Sequence, residues 1–266
     1  AEAELLITQG REAEATDLLE RVCAESLGIL GTIYCDFFRN EEKSMMYFNM
    51  SKMVDKANWK TDVNYAHALS NFNHHDKTLD AARRAVKFSE AKEFIPLFNY
   101  GIVLAHHHDP RAEEAFELAL ALKPDSKICM YNIGCVALRR GDYQKGWPLY
   151  ENRLGGFKGS AKFYSRFWKY PLWDGKIDLN GKKVVVFIEQ GLGDLFQFIR
   201  FVPLLQAKYP EAKLIVEVQG TTVDLIRHSL PGYDVVGRRD NNMNDPPDGD
   251  IVVSVCSLPL HLGIMS

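Results

Sequence analysis

The densest chemistry in the chain lies at Glu189-Gln190-Gly191-Leu192-Gly193-Asp194, between a strand-like run (Lys183 to Ile188) and an apolar helical run (Asp194 to Lys208). A glycine turn in that position aims backbone N–H groups at a ligand in the crevice beyond the carboxyl ends of the strands. A dinucleotide fingerprint requires a third small residue where Phe196 stands, so that assignment fails. Asp194 has a purely structural reading as well. An aspartate opening a helix is a favoured cap, and the helix dipole that stabilises its carboxylate lowers its basicity.

A second group is imidazole-rich: His74-His75-Asp76 and His106-His107-His108-Asp109. Both segments fall in the turn of a helix pair, along one edge of whatever those pairs build. Histidine is the commonest metal ligand. Neighbouring helix pairs, however, stand on the order of 10 Å apart, which is long for a shared ion. The expectation is solvated turn histidines and no metal site.

The elements that must position these groups follow from an internal repeat. Tyr131-Asn132-Ile133-Gly134 is followed by Gly141-Asp142-Tyr143, Gly146 and Tyr150; an earlier copy reads Asn99-Tyr100-Gly101, Ala112, Phe116, Ala119 and Pro124; a still earlier one reads Asn64-Tyr65-Ala66, Thr78, Ala82 and Ala85. Thr78, Ala112 and Gly146 are spaced 34 and 34 residues apart. This pattern resembles the tetratricopeptide repeat, a helix–turn–helix unit that stacks into a solenoid. Small residues at the eighth and twentieth positions let the two helices of a unit approach closely. Gly31 with Tyr34 marks a further unit upstream with a Met-rich second helix, and Gly10, Ala15, Leu19 and Val22 read as the back half of a first one. The stack curves to give a concave groove for a protein or peptide. Asn64, Asn99 and Asn132, each just before the small residue, are assigned to that groove, with local backbone bonding as the alternative.

Three segments result: helical repeats over 1–153, an aromatic-rich connector over 154–181, and an α/β lobe over 182–266. The connector opens with a glycine-rich turn at 155–160 and carries Phe163, Tyr164, Phe167, Trp168, Tyr170 and Trp173, more ring surface than a floppy linker holds. The lobe has non-alternating strands at Lys183 to Ile188, Leu214 to Val218 and Ile251 to Val255, and a helix at Val223 to Ser229. Strands of that kind separated by helices predict a parallel sheet covered on both faces. Pro203 should kink or restart the first helix. The fold class is α + α/β: an N-terminal α-solenoid followed by a partial Rossmann-like parallel lobe.

The turn Glu189–Asp194, the segment Gln197-Phe198-Ile199-Arg200-Phe201-Val202-Pro203, the ending Gly146-Trp147-Pro148-Leu149-Tyr150-Glu151-Asn152-Arg153, Pro171-Leu172-Trp173-Asp174-Gly175 and Ser257-Leu258-Pro259 together resemble the glycosyltransferase-like domain that follows tetratricopeptide repeats in many bacterial proteins. That domain is similar to the heptosyltransferases, which have the two-lobed GT-B fold. The resemblance implies that Asp194 is the general base toward the acceptor hydroxyl, with Glu189, Gln190, Gly191, Gly193 and Arg200 around the acceptor cleft. It also implies a nucleotide-sugar donor for a full-length relative, bound by a second lobe. With that lobe missing, this chain is expected to bind no cofactor and not to transfer sugar alone. The other expectation is a non-catalytic adaptor whose short sheet caps the stack.

Bulk properties narrow the partners. Thirty-two Lys and Arg oppose thirty-five Asp and Glu, a formal net charge of -3, so the basic footprint of a nucleic-acid binder is absent. Five cysteines without a CxxC pair fit a reducing, cytoplasmic setting. Even an apolar run as long as any in the chain, Val184 to Ile188, falls far short of the roughly 20 residues of a membrane span. The absence of an initiator Met points to a trimmed start, and no signal peptide is expected.

Overall fold

The structure is a computed structural model that describes residues 2–156, 167, 169–189, 191–238 and 246–265. Gln190 and most of the expected connector, including Phe163, Tyr164 and Trp168, lie outside the described residues. The chain divides into two compact units, one ending at Cys129 and one starting at Met130. Each has its own core.

The first unit contains α1 (Glu2–Thr8), α2 (Glu12–Asp36), α3 (Glu41–Val54), α4 (Trp59–Asn71), α5 (His75–Phe88), α6 (Phe94–His106) and α7 (Ala112–Leu122). Helices α2 and α3, α4 and α5, and α6 and α7 pack as antiparallel-type pairs joined by short turns. Upstream the expectation of two partial repeats changes: Ala15, Leu19, Val22, Gly31 and Tyr34 all belong to one 25-residue helix, α2. Between Val22 and Gly31 there is no proline to stop it, Gly28 is packed against Thr61, and the Ser26 hydroxyl bonds back to the Val22 carbonyl instead of capping a new helix.

The small residues of the repeat have a specific steric partner. A Cβ on Gly31 would stand 2.8 Å from the Phe48 ring, and one on Gly101 would stand 2.6 Å from the Phe116 ring. Ala66 shares a cluster with Ala82. The eighth-position residue thus makes room for a side chain 15 to 17 positions on, in the next helix. Where that side chain is aromatic, glycine is required.

Charge is buried here too. Asp62 is 1% exposed and ion-paired to Lys52 Nζ at 3.2 Å and Arg84 Nη2 at 3.3 Å, although neither contact has hydrogen-bond geometry at the carboxylate oxygens. Burial pushes its pKa up while the two cations pull it down, and burial prevails.

The second unit starts within α8 (Lys127–Arg139) and continues through α9 (Tyr143–Tyr150), α10 (Arg153–Gly156), β1 (Lys183–Phe187), α11 (Leu192–Phe198), a 3-10 turn at Ile199–Phe201, α12 (Val202–Lys208), β2 (Lys213–Gln219), α13 (Val223–Ser229), β3 (Asp234–Arg238), β4 (Ile251–Ser254) and α14 (Leu258–His261). Pro203 does restart the helix, standing in the first turn of α12. Among the described residues the sheet has the order β3-β2-β1-β4, with β1 parallel to both β2 and β4 and β2 parallel to β3. Strand β3 is an addition to the sequence reading. It is an edge strand in which only Val235 is fully buried, so its apolar signal is short.

Trp147 and Tyr150 of α9 share one continuous core with Trp173, Val184, Val186, Leu195 and Phe198. The last helix pair is thus packed with the sheet, which explains why compactness divides the chain before the change of sequence pattern at 153. The connector is anchored where it is described: the Phe167 ring stacks on Phe187 at 4.4 Å, and Trp173, 1% exposed, donates its indole N–H to the Ile177 carbonyl.

Candidate functional site

The strand order reverses direction at β1, since β2 and β4 lie on its two sides. In a doubly wound sheet the ligand crevice opens beyond the carboxyl ends of the strands at that switch point. Here the position is filled by the protein's own arginine. Arg153, 1% exposed, donates Nε to Glu189 Oε1 at 2.7 Å, Nη1 to Glu151 Oε1 at 2.5 Å, and Nη2 to Ser257 Oγ at 2.7 Å. Ser254 Oγ donates to Glu189 Oε1 at 2.5 Å, and Ser257 Oγ donates to Glu151 Oε2 at 2.9 Å.

The network explains its own composition. A buried guanidinium needs partners on most of its five donors, and the ends of β1 and β4 supply them. The Glu189 side chain is 3% exposed, and its Oε2 has no hydrogen-bond partner. Burial raises the Glu189 pKa more than Arg153 and Ser254 lower it. Burial also pushes up the thiol of Cys256 and the phenols of Tyr131 and Tyr150, and the charge of Asp194 adds to all three shifts.

The other expected residues of the turn are placed differently. Gly191, in extended backbone at φ −75° and ψ −177°, caps α11, and its position makes no side-chain bond. Asp194 therefore is not the cap. It is the third residue of the helix, partly exposed, in the first turn where the dipole favours an anion. The capping role expected of it is corrected: two further residues of helical backbone, Leu192 and Gly193, precede it. Gly191 and Gly193 are exposed, and a Cβ on either would meet nothing within 4 Å. Arg200 is exposed, with its guanidinium 4.9 Å from the centroid of the adjacent Phe201 ring. The structure thus brings Glu189 together with Arg153, Ser254 and Ser257, not with Arg200. Arg153 and the two serines were missed as site residues because their chemistry exists only once three distant segments meet.

In the first unit a cavity of about 850 Å³ opens beside α4 and α6. Asn64 and Asn99 both line it, together with His67, His75, His106 and His107. Asn132 lies on α8 and is partly exposed. The histidine turns come closer than a helix-pair spacing predicts: the His75 and His107 rings meet edge to face with centroids 6.2 Å apart. His75 is the first residue of α5 and His107 caps the end of α6, so the contact joins the start of one helix to the end of the next. Asp109, beside them in sequence, is held down to about 2 by hydrogen bonds from the Arg111 side chain and backbone.

One cluster had no signal in the sequence. Cys35 and Asp36 at the end of α2 meet His67 on α4, with one ligand-type atom of each lying within 4.8 Å of the others. Asn71, one helical turn beyond His67, touches all three.

The fold and these surfaces define a tetratricopeptide-like helical solenoid joined to a small parallel α/β lobe. No protein-family model matches the chain. The chain is similar to protein FlbA of Caulobacter vibrioides, 31% identical over 118 residues that make up 43% of this chain and 19% of FlbA. The chain thus spans about a fifth of the length of that relative. Among solved structures, PilF of Pseudomonas aeruginosa is similar in fold, with a TM-score of 0.50 at 13% identity over 86% of this chain and 89% of PilF. The O-GlcNAc transferase of Thermobaculum terrenum gives a TM-score of 0.43 at 13% identity, over 83% of this chain and 42% of that one. Among the described residues no helix is long and apolar enough to cross a membrane.

Proposed function

We propose that the helical repeats hold a protein or peptide in the cavity lined by Asn64 and Asn99, and that the α/β lobe is the acceptor-side part of a larger glycosyltransferase. The observation that carries the first part is the recurrence of asparagine at one repeat position on one cavity wall. An amide offers two donors and an acceptor, which suits an extended peptide backbone whatever its side chains. The motifs around Asp194 support the second part. At Gly191 and Gly193 no packing demands glycine, which leaves room for a ligand to approach the backbone closely. Asp194 sits beside that turn as the base toward an acceptor hydroxyl, and a nucleotide-sugar would be the donor in the whole protein.

Photo-crosslinking in the native host from a probe residue placed at Ile102, on the wall of the same cavity, tests the groove. A discrete adduct that disappears in the Asn64→Ala/Asn99→Ala variant supports it, while equal labelling from an exposed position on α5 overturns it. Sugar transfer measured on the natural full-length protein tests the lobe: Asp194→Asn should abolish turnover with thermal stability unchanged. The reading as a non-catalytic adaptor draws on a different observation. Glu189, one of the motif residues, is committed to a buried ion pair with Arg153. Absence of sugar transfer by the unaltered full-length protein would favour it, whereas turnover that persists in Asp194→Asn would only remove Asp194 as the base.

A further inference from the structure

The geometry points to a zinc-binding site formed by Cys35, Asp36 and His67, joining the end of α2 to α4. The cluster draws on two helices of the first unit and is separate from the glycine turn of the lobe. Cys35 is fully buried, whereas the Asp36 and His67 side chains are 37% and 53% exposed, so an ion would meet the thiol from the solvent side. Thiolate, imidazole and carboxylate are together the donor set of zinc, not of magnesium or calcium. Bonds of about 2.0–2.3 Å to a tetrahedral ion place ligand atoms roughly 3.3–3.8 Å apart. His67 Nε2 and Asp36 Oδ1 are 3.0 Å apart, and all three ligand atoms fall within 4.8 Å.

The hydrogen bonding of the same side chains bears on what would suit them. Asn71 Nδ2 lies 3.4 Å from Cys35 Sγ, 3.3 Å from Asp36 Oδ1 and 3.1 Å from His67 Nε2. An amide NH₂ has two protons to offer three neighbours. If His67 Nε2 carries no proton, its lone pair faces the Asp36 carboxylate at 3.0 Å. If it carries one, two donors face each other between His67 and Asn71. In the first case the Asp36–His67 contact is mismatched; in the second every acceptor has a donor, and the mismatch is the 3.1 Å approach of the two nitrogens. A cation at the point on which these atoms converge satisfies Sγ, Oδ1 and Nε2 at once. Asn71 then rotates to present its carbonyl oxygen, or yields the fourth position to water. The thiol gives up its proton to solvent on binding, so uptake weakens as pH falls. His67 also lines the cavity beside Asn64, so the ion would stand in its wall.

Cobalt(II) titration of the whole reduced chain tests the site. The expected result is one equivalent bound with a thiolate-to-cobalt charge-transfer absorption, displaced by zinc, and a zinc-dependent rise in melting temperature. Cys35→Ser should abolish the absorption. Asp36→Asn and His67→Ala, both at exposed side chains and safe for folding, should each weaken zinc binding by at least about tenfold. His75→Ala/His107→Ala should leave the absorption intact. The site is overturned if the folded protein gives no charge-transfer band. It is equally overturned if the band survives Cys35→Ser, or if affinity falls only in the His75/His107 variant.

Discussion

The two units handle buried and half-buried polar groups in opposite ways. In the lobe, Arg153 is sealed among Glu151, Glu189, Ser254 and Ser257, with nearly every donor matched. In the repeats, the Asn71 amide stands among Cys35 Sγ, Asp36 Oδ1 and His67 Nε2, and in either tautomer of His67 one contact is left mismatched at the surface. A matched network contributes rigidity and holds the ends of β1 and β4 to α10. A mismatched one at an accessible edge is a place for a ligand. Residue type alone would have ranked these regions the other way, because the glycine turn resembles an enzyme motif and the α2–α4 contact resembles nothing.

The sharpest way to break this contrast is to remove the sealed charge. Arg153→Met leaves Glu189 and Glu151 without their cation, and loss of one partner from a buried pair costs about 3–5 kcal/mol. Urea unfolding followed by the fluorescence of Trp147 and Trp173, both in this core, should show that loss. Glu189→Gln should cost less, since Glu151 still faces the guanidinium. A loss below about 1 kcal/mol for Arg153→Met would mean that water reaches the network, and the contrast with the repeats would fail.

The glycines give the next effect. A Cβ on Gly134 would lie 2.7 Å from the Tyr150 backbone nitrogen and 3.0 Å from the Gly146 carbonyl oxygen. Backbone cannot step aside, so Gly134→Ala should cost about 1–3 kcal/mol by overpacking. Gly193→Ala, inside the helix with no neighbour in reach, should leave stability unchanged or slightly raised, and Gly191→Ala, at the N-cap, should cost no more than about 1 kcal/mol. Measured by the same unfolding curves, a large loss at Gly191 would show that the turn is a packing feature and remove its main claim to ligand binding.

The repeat was legible because its signal is local and periodic: the spacing of Thr78, Ala112 and Gly146 predicts the pairs α4–α5, α6–α7 and α8–α9. The parallel sheet was legible from runs such as Lys183–Phe187, buried on both faces. Edge strand β3 was not, since one buried valine gives no pattern. Nor was the continuity of α2, because sequence periodicity places small residues without saying where a helix fails to stop. The sites divide on the same line. Asn64 and Asn99 lie at equivalent repeat positions and line one cavity. The roles of Arg153 and His67 depend on partners 36 and 31 residues away, across contacts that no motif encodes. The steric reason for Gly101 was half legible: smallness was expected, but its partner is the Phe116 ring rather than the residue at the twentieth position.

Asparagine truncation in the groove should separate binding from folding. Asn64 and Asn99 line open space in the cavity, so Asn64→Ala/Asn99→Ala should change stability by less than about 0.5 kcal/mol per site. Loss of the photo-crosslinked adduct at unchanged unfolding midpoint would place their role in recognition. A cooperative loss of stability would assign them to the scaffold.

The smallest effect is a pH dependence confined to the lobe. His261 lies edge-on to Trp173 at 5.2 Å, and burial lowers its pKa below the ordinary 6.5, against the pull of Glu151 and Asp174 and with Arg153 and Lys208 adding to the drop. Because the unfolded chain takes up a proton at His261 more readily than the folded one, stability is complete above pH 6.5 and declines as pH falls through 6.5 toward the lowered value. The raised carboxyl pKa values of Asp62 and Glu189 work the other way on acidification, so the readout is the difference in unfolding midpoint between the whole chain and His261→Phe, in which the unaltered chain should lose ground from pH 8 to pH 5. A difference of the opposite sign, with the unaltered chain gaining on His261→Phe as pH falls, would require His261 to gain an anionic partner on folding. That would place Glu151 closer to His261 than to Arg153, and the network at the end of β1 would no longer be the sealed one described.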